Sequence, residues 1–389
     1  MKIALVSPYD YAYPGGVMDH ISNLGQHLVK AGHEIKVIAP LSGPPPTTDK
    51  ELIPMGRSFP VPSGGSTARI SLSVWLEPTI KRLLKEESFD IIHLHEPLAP
   101  VLPLSILHLS QTVNVGTFHA FHGSGRIYWL SKYLLNSSFK KLSGRIAVSN
   151  PAMGFVKSHF PGDYQVIPNG IEYSRFSTPQ PPIEELKDDK INILFVGRLE
   201  KRKGLKYLLA AYSNLKWAHP NTRLLVVGPG NPEPEAYRLI SERNIDDVFF
   251  LGPVSHQDLP RYYQAADIFC SPATGKESFG IVLLEAMASG KPIVATSIEG
   301  YSSVMTNEKQ GFLVPPKSED GLQEALETLI DDAELRREMG NRGMASAIQY
   351  DWEIVTSRII EYYHQSAANQ KITPKPITPA KQHNQIPIR

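Results

Sequence analysis

The sequence predicts an α/β protein of two Rossmann-like domains in series, facing a central cleft. Three observations carry that prediction. Short apolar runs alternate with amphipathic stretches, as parallel strands alternate with crossover helices. The rhythm lapses at Ser177-Thr178-Pro179-Gln180-Pro181-Pro182 and then restarts, so this polar, Pro-rich stretch reads as an interdomain linker. The 389 residues suffice for two or three domains, and 41% hydrophobic with 20% charged residues is an ordinary globular balance.

The elements follow in order. Ile3–Ser7 is a continuous apolar run, the mark of a buried strand. After the Gly15-Gly16 turn, His20, Leu24, Leu28 and Val29 recur at helical spacing up to Gly32, a C-cap candidate. Further strands are expected at Glu34–Ala39, Ile91–His95, Asn114–Phe118 and Gly144–Val148. Beyond the linker they are expected at Ile191–Val196, Arg223–Val227, Val248–Leu251, Asp267–Ser271 and Pro292–Ala295, with helices at Gly204–Leu215 and Gly280–Ala288. Residues 1–172 thus form one domain and 173–352 the second; the Pro-, Gln- and Lys-rich stretch 367–389 reads as a disordered tail.

Composition excludes several functions. Net charge is +1, which argues against a nucleic-acid-coating surface. Cys270 is the single cysteine, so no internal disulfide or Cys-based zinc site exists, and a reducing, cytoplasmic setting is expected. No apolar run is long enough to span a bilayer, and Met1–Pro8 reads as a strand rather than a secretory signal.

Four constellations could carry chemistry. Glu277-Ser278-Phe279-Gly280 through Glu285 places one carboxylate in a Gly-rich turn and a second on the helix that starts near Gly280, whose backbone N–H groups suit a phosphate. From spacing alone, the pair reads equally well as a solvated Glu plus a Glu near a helix start. Gly197-Arg198-Leu199-Glu200-Lys201-Arg202-Lys203-Gly204 aims cations at the same sheet edge, where Arg198 and Lys203 could neutralise a diphosphate leaving group; the other reading is a solvated charged turn. Gly15-Gly16 could admit a phosphate closely or simply turn the chain. His119 ends a strand, where ligand groups collect; His93 and His95 compete with it and read as structural. There is no D-x-D triplet, hence no support for a diphosphate-chelating metal, and no G-x-G-x-x-G, which disfavours a dinucleotide-dependent dehydrogenase.

Together with Val166-Ile167-Pro168-Asn169-Gly170, Gly311-Phe312-Leu313-Val314-Pro315, His95-Glu96-Pro97 and Tyr350-Asp351-Trp352, these motifs resemble the retaining GT-B glycosyltransferases of family 4. They are similar in particular to its bacterial phosphatidylinositol mannosyltransferases. The resemblance implies an NDP-hexose donor, GDP-mannose in that subgroup, transfer with retention, no required metal, and a lipid acceptor of the phosphatidylinositol type at the cytoplasmic face of a membrane. It implies Gly16 beside the donor phosphates, Arg198 and Lys203 on the diphosphate, Glu277 on the hexose, and Glu285 on the ribose. Val254, Gly280, Ile281 and Val282 would frame the nucleotide. His119 would lie beside the anomeric centre, with Tyr9 and Arg69 on the acceptor. A helix over about 353–366 would pack back on the first domain. Tyr13 and Leu98 stand where the subgroup carries an acidic residue and an Asn near its inositol site, which points to an altered acceptor pocket. Another NDP-hexose with a different glycolipid or soluble acceptor is the alternative; an NDP-sugar epimerase and a non-enzymatic nucleotide-binding module are further readings.

Val74, Trp75, Leu76, Ile80, Leu83 and Leu84 give an apolar face next to Lys81, Arg82 and Lys85, as a peripheral-membrane helix would. Residues 1–180 carry net +4 and the remainder −3, and residues 101–150 hold Arg126, Lys132, Lys140, Lys141 and Arg145 and no Asp or Glu. The competing reading is an ordinary amphipathic helix packed on its own core.

Overall fold

The computed structural model describes the chain except residues 14, 45–50, 64–65, 72, 120–134 and 370–389. The first half builds a parallel sheet from β1 (Lys2–Val6), β2 (Glu34–Ala39), β3 (Leu52–Pro54), β6 (Ile91–His95), β7 (Val113–Phe118), β8 (Gly144–Ala147) and β9 (Gln165–Val166), in the order β3-β2-β1-β6-β7-β8-β9. A separate antiparallel hairpin joins β4 (Ser58–Ser63) to β5 (Ser66–Ser71). The second half builds a parallel sheet from β10 (Ile191–Val196), β11 (Thr222–Val227), β12 (Val248–Gly252), β13 (Ile268–Ser271), β14 (Ile293–Thr296) and β15 (Gly311–Val314), in the order β12-β11-β10-β13-β14-β15.

Helices cover both faces of each sheet, so the central strands are apolar without alternation. Ile3 pairs in register with Ile35 and Ile91, and Ile193 with Leu224 and Ile268. In each sheet the strand order reverses beside the first strand, between β1 and β6 and between β10 and β13. The loops leaving those strands at their carboxyl ends therefore diverge and leave a crevice, where ligands bind in such folds.

The expected strands appear within a residue or so of their predicted limits. The short edge strands β3 and β9, the hairpin β4–β5 and β15 were not predicted. The first helix, Gly16–Lys30, buries His20, Leu24 and Leu28; Val29 is exposed, off that stripe. Gly32 follows the helix with a left-handed φ of +83°, as a residue just past a helix end should.

The last helix runs Trp352–Asn369, beyond the 366 limit expected for it. It does return to the first half, where Trp352, Val355, Ile359 and Tyr363 join the core cluster of Ile3, Leu5, Ile21 and Leu24. Ala367 is also buried there, so 367–369 belong to this helix and not to a tail; 370–389 lie outside the described residues. Gly170 is required by this packing. A Cβ at that position would occupy the space of the Trp352 indole, which links the Pro168-Asn169-Gly170 motif to Trp352.

The 74–87 segment is a short 3-10 turn (Val74–Leu76) followed by an α-helix (Glu77–Glu87). Its apolar face is mostly internal. Ile80 is fully buried, and Leu76, Leu83 and Leu84 pack on the first domain's core. Trp75, by contrast, faces outward, 83% exposed. Arg126, Lys132 and Pro14 lie outside the described residues.

Candidate active site

The donor-side candidates gather where β10 and β13 end. The loop after β10 turns through a 3-10 helix (Lys201–Lys203), and the loop after β13 carries Glu277. The two are tied together: the Thr274 N–H donates to the Arg202 carbonyl at 2.8 Å. Glu277 Oε1 receives Lys203 Nζ at 2.7 Å and Arg202 Nη1 at 2.5 Å. Arg202 Nε also reaches Glu200 Oε2 at 2.8 Å. Arg198 reaches Glu200 more loosely, at 3.8 Å, and is the more exposed cation. Only 13% of the Lys203 side chain and 15% of the Glu277 side chain are exposed, so the pair is shielded and its geometry is fixed before any ligand arrives.

Arg202 is the residue that sequence reasoning left without a role. Its signal was present: it shares the turn of Lys203, and one carboxylate with two cation partners is held on two sides.

Gly280 caps the Ile281–Ala288 helix with φ +118°, and a Cβ there would meet the Tyr301 ring at 2.8 Å. No side chain caps this helix start, so the backbone N–H groups of Ile281 and Val282 are available to an anion, while that of Leu283 is bonded to the Gly280 carbonyl. Val254, Ile281 and Val282 pack on the edge of the adjoining core. Glu285, one turn further on, accepts from the Tyr263 hydroxyl at 2.7 Å. Burial raises the Glu285 carboxyl above its ordinary range, and that hydrogen bond opposes the shift.

Glu285 and Ile281 line a cavity of about 100 Å³ shared with Asp19, His20, Asn169 and Trp352 from the first half and its returning segment. The two halves thus meet at this point. Asp19, which opens onto the cleft, has its carboxyl raised by enclosure and pulled back by Arg198 across the gap. A second tie between the halves is the Ser149 hydroxyl, which donates to the Ser278 carbonyl at 2.7 Å. Gly15 and Gly16 start the first helix on this side; a Cβ on either would meet nothing within 4 Å, so packing leaves room in front of them.

The acceptor-side candidates lie at the carboxyl ends of β1, β6 and β7. The His119 N–H donates to Glu96 Oε1 at 2.7 Å, and the His119 ring meets His95 Nδ1 at 3.0 Å through its Nε2. His95, read as structural, is therefore in direct contact with His119. His93 does behave structurally: its ring bonds the Tyr363 hydroxyl at 2.7 Å and the Thr117 hydroxyl at 2.6 Å. Burial pushes the Tyr9 hydroxyl upward, with the Glu96 charge adding to it. Tyr9 bridges to Ile70, next to Arg69, whose guanidinium sits 4.0 Å over the Tyr13 ring.

Leu98 corrects the expectation of an altered acceptor pocket at that position. It is 5% exposed and shares a core cluster with Leu102 and Phe118, so it faces the interior and not a headgroup.

Both halves of the chain are similar to known proteins. Residues 14–175 match Glycosyltransferase Family 4, and residues 177–345 match Glycosyl transferases group 1. The chain is 33% identical over 364 residues to a phosphatidyl-myo-inositol mannosyltransferase of Mycolicibacterium smegmatis, covering 93% of each. It is 26% identical to a D-inositol 3-phosphate glycosyltransferase of Pseudarthrobacter chlorophenolicus, covering 90% of each. Its fold is similar to that of Anabaena Alr3699/HepE solved with UDP, with a TM-score of 0.77 over 94% of this chain and 100% of that one, at 20% identity. The paired parallel sheets, the cleft between them and 33% identity over 93% of the chain make this chain a family 4 glycosyltransferase of the GT-B fold, an enzyme that uses a nucleotide sugar.

Proposed function

We propose that the enzyme transfers mannose from GDP-mannose, with retention of configuration, to a lipid acceptor of the phosphatidylinositol type. The observation that carries this reading is the 33% identity, over 93% of each chain, with a phosphatidyl-myo-inositol mannosyltransferase. The geometry supports a division of labour. Gly16 leaves space for the donor phosphates beside the first helix. Arg198, Lys203 and the N–H groups at Ile281 and Val282 take the diphosphate as charge develops on it, in place of a metal. Glu277, locked by Lys203 and Arg202, holds the hexose hydroxyls. Glu285 takes the ribose, with Gly280 and Val254 framing the nucleotide. His119 stands by the anomeric centre, and Tyr9 and Arg69 receive the acceptor headgroup.

Residues 1–172 would be the acceptor domain and 173–352 the donor domain. Among the described residues no helix is long and apolar enough to cross a membrane. We infer peripheral contact with the cytoplasmic leaflet through exposed Trp75 with Lys81, Arg82 and Lys85, beside an open groove of about 650 Å³ lined by Lys81, Lys85 and His108. The similarity to an inositol phosphate glycosyltransferase keeps a soluble acceptor as the second reading.

One experiment separates these: incubation of the purified protein with a panel of NDP-hexoses and either a lipid extract or soluble inositol phosphates, with products identified by mass. A mannosylated inositol lipid formed only with GDP-mannose is expected. Transfer to the soluble acceptor alone would replace the lipid reading, and NDP-sugar consumption with no glycosylated product would replace both.

A further inference from the structure

One hydroxyl joins the two halves at a point that leads to a candidate site residue on each side of the cleft. Ser149 lies just past β8 and is the N-cap of the Asn150–His159 helix, where its oxygen accepts from the Ala152 N–H at 3.2 Å. The same hydroxyl donates to the Ser278 carbonyl, in the turn that carries Glu277, at 2.7 Å. A serine hydroxyl has one proton and two lone pairs, so both bonds form at once. Ser149 is buried, which keeps water from competing for them.

The neighbours of this bond reach the site in one step on either side. Ser278 follows Glu277 directly. Ser149 follows Val148, whose N–H donates to the Phe118 carbonyl at 3.2 Å, and Phe118 precedes His119. β7 and β8 are in register up to this point, with Phe118 opposite Ala147. Two hydrogen bonds thus connect the backbone beside Glu277 to the backbone beside His119.

Both ends of that path are anchored. Glu277 is held by Lys203 and Arg202. Behind the turn, a Cβ on Gly300 would lie 2.1 Å from the Glu277 carbonyl oxygen, so the turn rests directly on the Glu299–Ser302 helix. Tyr301 of that helix shares a hydrogen bond of 2.7 Å with Ser271 at the end of β13. On the other side, the His119 N–H is fixed to Glu96 Oε1 at 2.7 Å. A bond between two anchored segments sets the separation of the halves rather than the shape of a loop. A cavity of about 180 Å³ lined by Ser149, Asn150, Phe279 and Tyr350 adjoins it, so packing between the halves is incomplete here and the polar contact carries the spacing.

We propose that Ser149 is a positioning residue for sugar transfer: its hydroxyl proton, given to the Ser278 carbonyl, sets the distance between the Glu277 turn and the His119 strand end. The proposal rests on the reading that Glu277 and His119 face the reacting sugar from opposite sides. In that reading most nucleotide contacts come from the second half alone, whereas transfer needs both halves in register. Loss of the bond therefore lowers turnover and spares nucleotide affinity.

The test separates the two bonds of Ser149. Aspartate caps a helix as well as serine does but has no proton to donate at neutral pH, so Ser149→Asp keeps the cap and breaks the bond between the halves. Ser149→Thr keeps both bonds, and Ser149→Ala removes both. With whichever NDP-hexose and acceptor the unmodified enzyme turns over, Ser149→Asp is expected to lower kcat about 5- to 150-fold, the range for a buried carbonyl that loses its donor. Nucleotide affinity and melting temperature should hold, and Ser149→Thr should turn over as the unmodified enzyme does. Full kcat in Ser149→Asp, or a loss of nucleotide affinity as large as the loss of kcat, overturns the proposal. Should Ser149→Asp not fold, the other two variants decide, and equal kcat in Ser149→Ala and Ser149→Thr overturns it. Glu277→Gln is measured alongside. Full transfer there refutes the reading of the site and the proposal with it, whereas loss there without loss in Ser149→Asp refutes the proposal alone.

Discussion

The two sides of the cleft are built by opposite means. In the proposed reading the donor side uses charge: Glu277 is clasped by Lys203 and Arg202, Arg198 is at hand, and a helix start faces the same opening. The acceptor side, in the same reading, relies mainly on neutral groups, the His20, His95 and His119 imidazoles and the Tyr9 hydroxyl, with Glu96 and Arg69 as its charged members. A departing diphosphate carries concentrated negative charge and needs fixed cations. A polyhydroxylated acceptor needs shape and groups that donate and accept without strong fields. The difference teaches that the donor side is defined by pairs that keep their strength when shielded from water, and the acceptor side by burial that keeps its imidazoles uncharged.

The comparison can be broken most forcefully at Leu98. If this residue belongs to the core, Leu98→Asn removes apolar contacts and buries an amide without a partner, a loss of about 2–5 kcal/mol. Denaturant unfolding of the variant measures it. Unchanged stability, with better use of an inositol lipid, would instead put Leu98 at the acceptor.

The neutral side also makes a prediction about pH. The His20 ring titrates near 4 in the folded protein against 6.5 ordinarily, because burial opposes its charge. Between those values the unfolded chain binds the extra proton and the folded one does not. Stability from this group is therefore complete above about pH 6.5 and declines as pH falls toward 4, by about 3 kcal/mol for His20 alone. His93, His95 and His119 shift in the same direction. Unfolding free energies measured across this range should fall as pH is lowered, and His20→Gln should flatten the slope.

On the charged side, Lys203→Ala removes a charge-assisted contact of about 1.5–3 kcal/mol. Transfer should drop roughly 10- to 150-fold with the fold intact. Near-normal turnover at saturating donor would take Lys203 out of the mechanism. Because cations rather than a chelated ion serve the diphosphate in this account, EDTA should leave transfer in place.

The smallest effect concerns the outer surface. Since most of the 74–85 stripe is internal, membrane contact falls to Trp75 and its basic neighbours. Trp75→Ser together with Lys85→Ser should reduce binding to anionic vesicles, and added salt should do the same to the unmodified protein. Equal binding to neutral and anionic vesicles would leave this helix a packing element only.

What the sequence made legible follows the same division. The donor-side residues lie in two short stretches, 197–204 and 277–285, so a turn, a helix start and their charges can be read together. The acceptor side is assembled from residues 9, 20, 69, 95, 96 and 119, and no local spacing reveals that His95 touches His119. The central strands were legible because burial on both faces leaves unbroken apolar runs. The β4–β5 hairpin was not, because Pro60 and Pro62 interrupt the strand pattern, although the Gly64-Gly65 pair is a two-residue hairpin signal. The helix at 77–87 misled for another reason: an apolar stripe is the same whether it meets lipid or core, and only the packing of Ile80 and Leu83 distinguishes them.

The division of labour across the cleft is tested most directly by measuring nucleotide binding and sugar transfer separately in Lys203→Ala and His119→Gln. The account predicts that Lys203→Ala weakens both, whereas His119→Gln keeps nucleotide affinity near that of the unmodified enzyme and loses transfer. Loss of nucleotide affinity in His119→Gln as large as that in Lys203→Ala, or full transfer activity in His119→Gln, would contradict it.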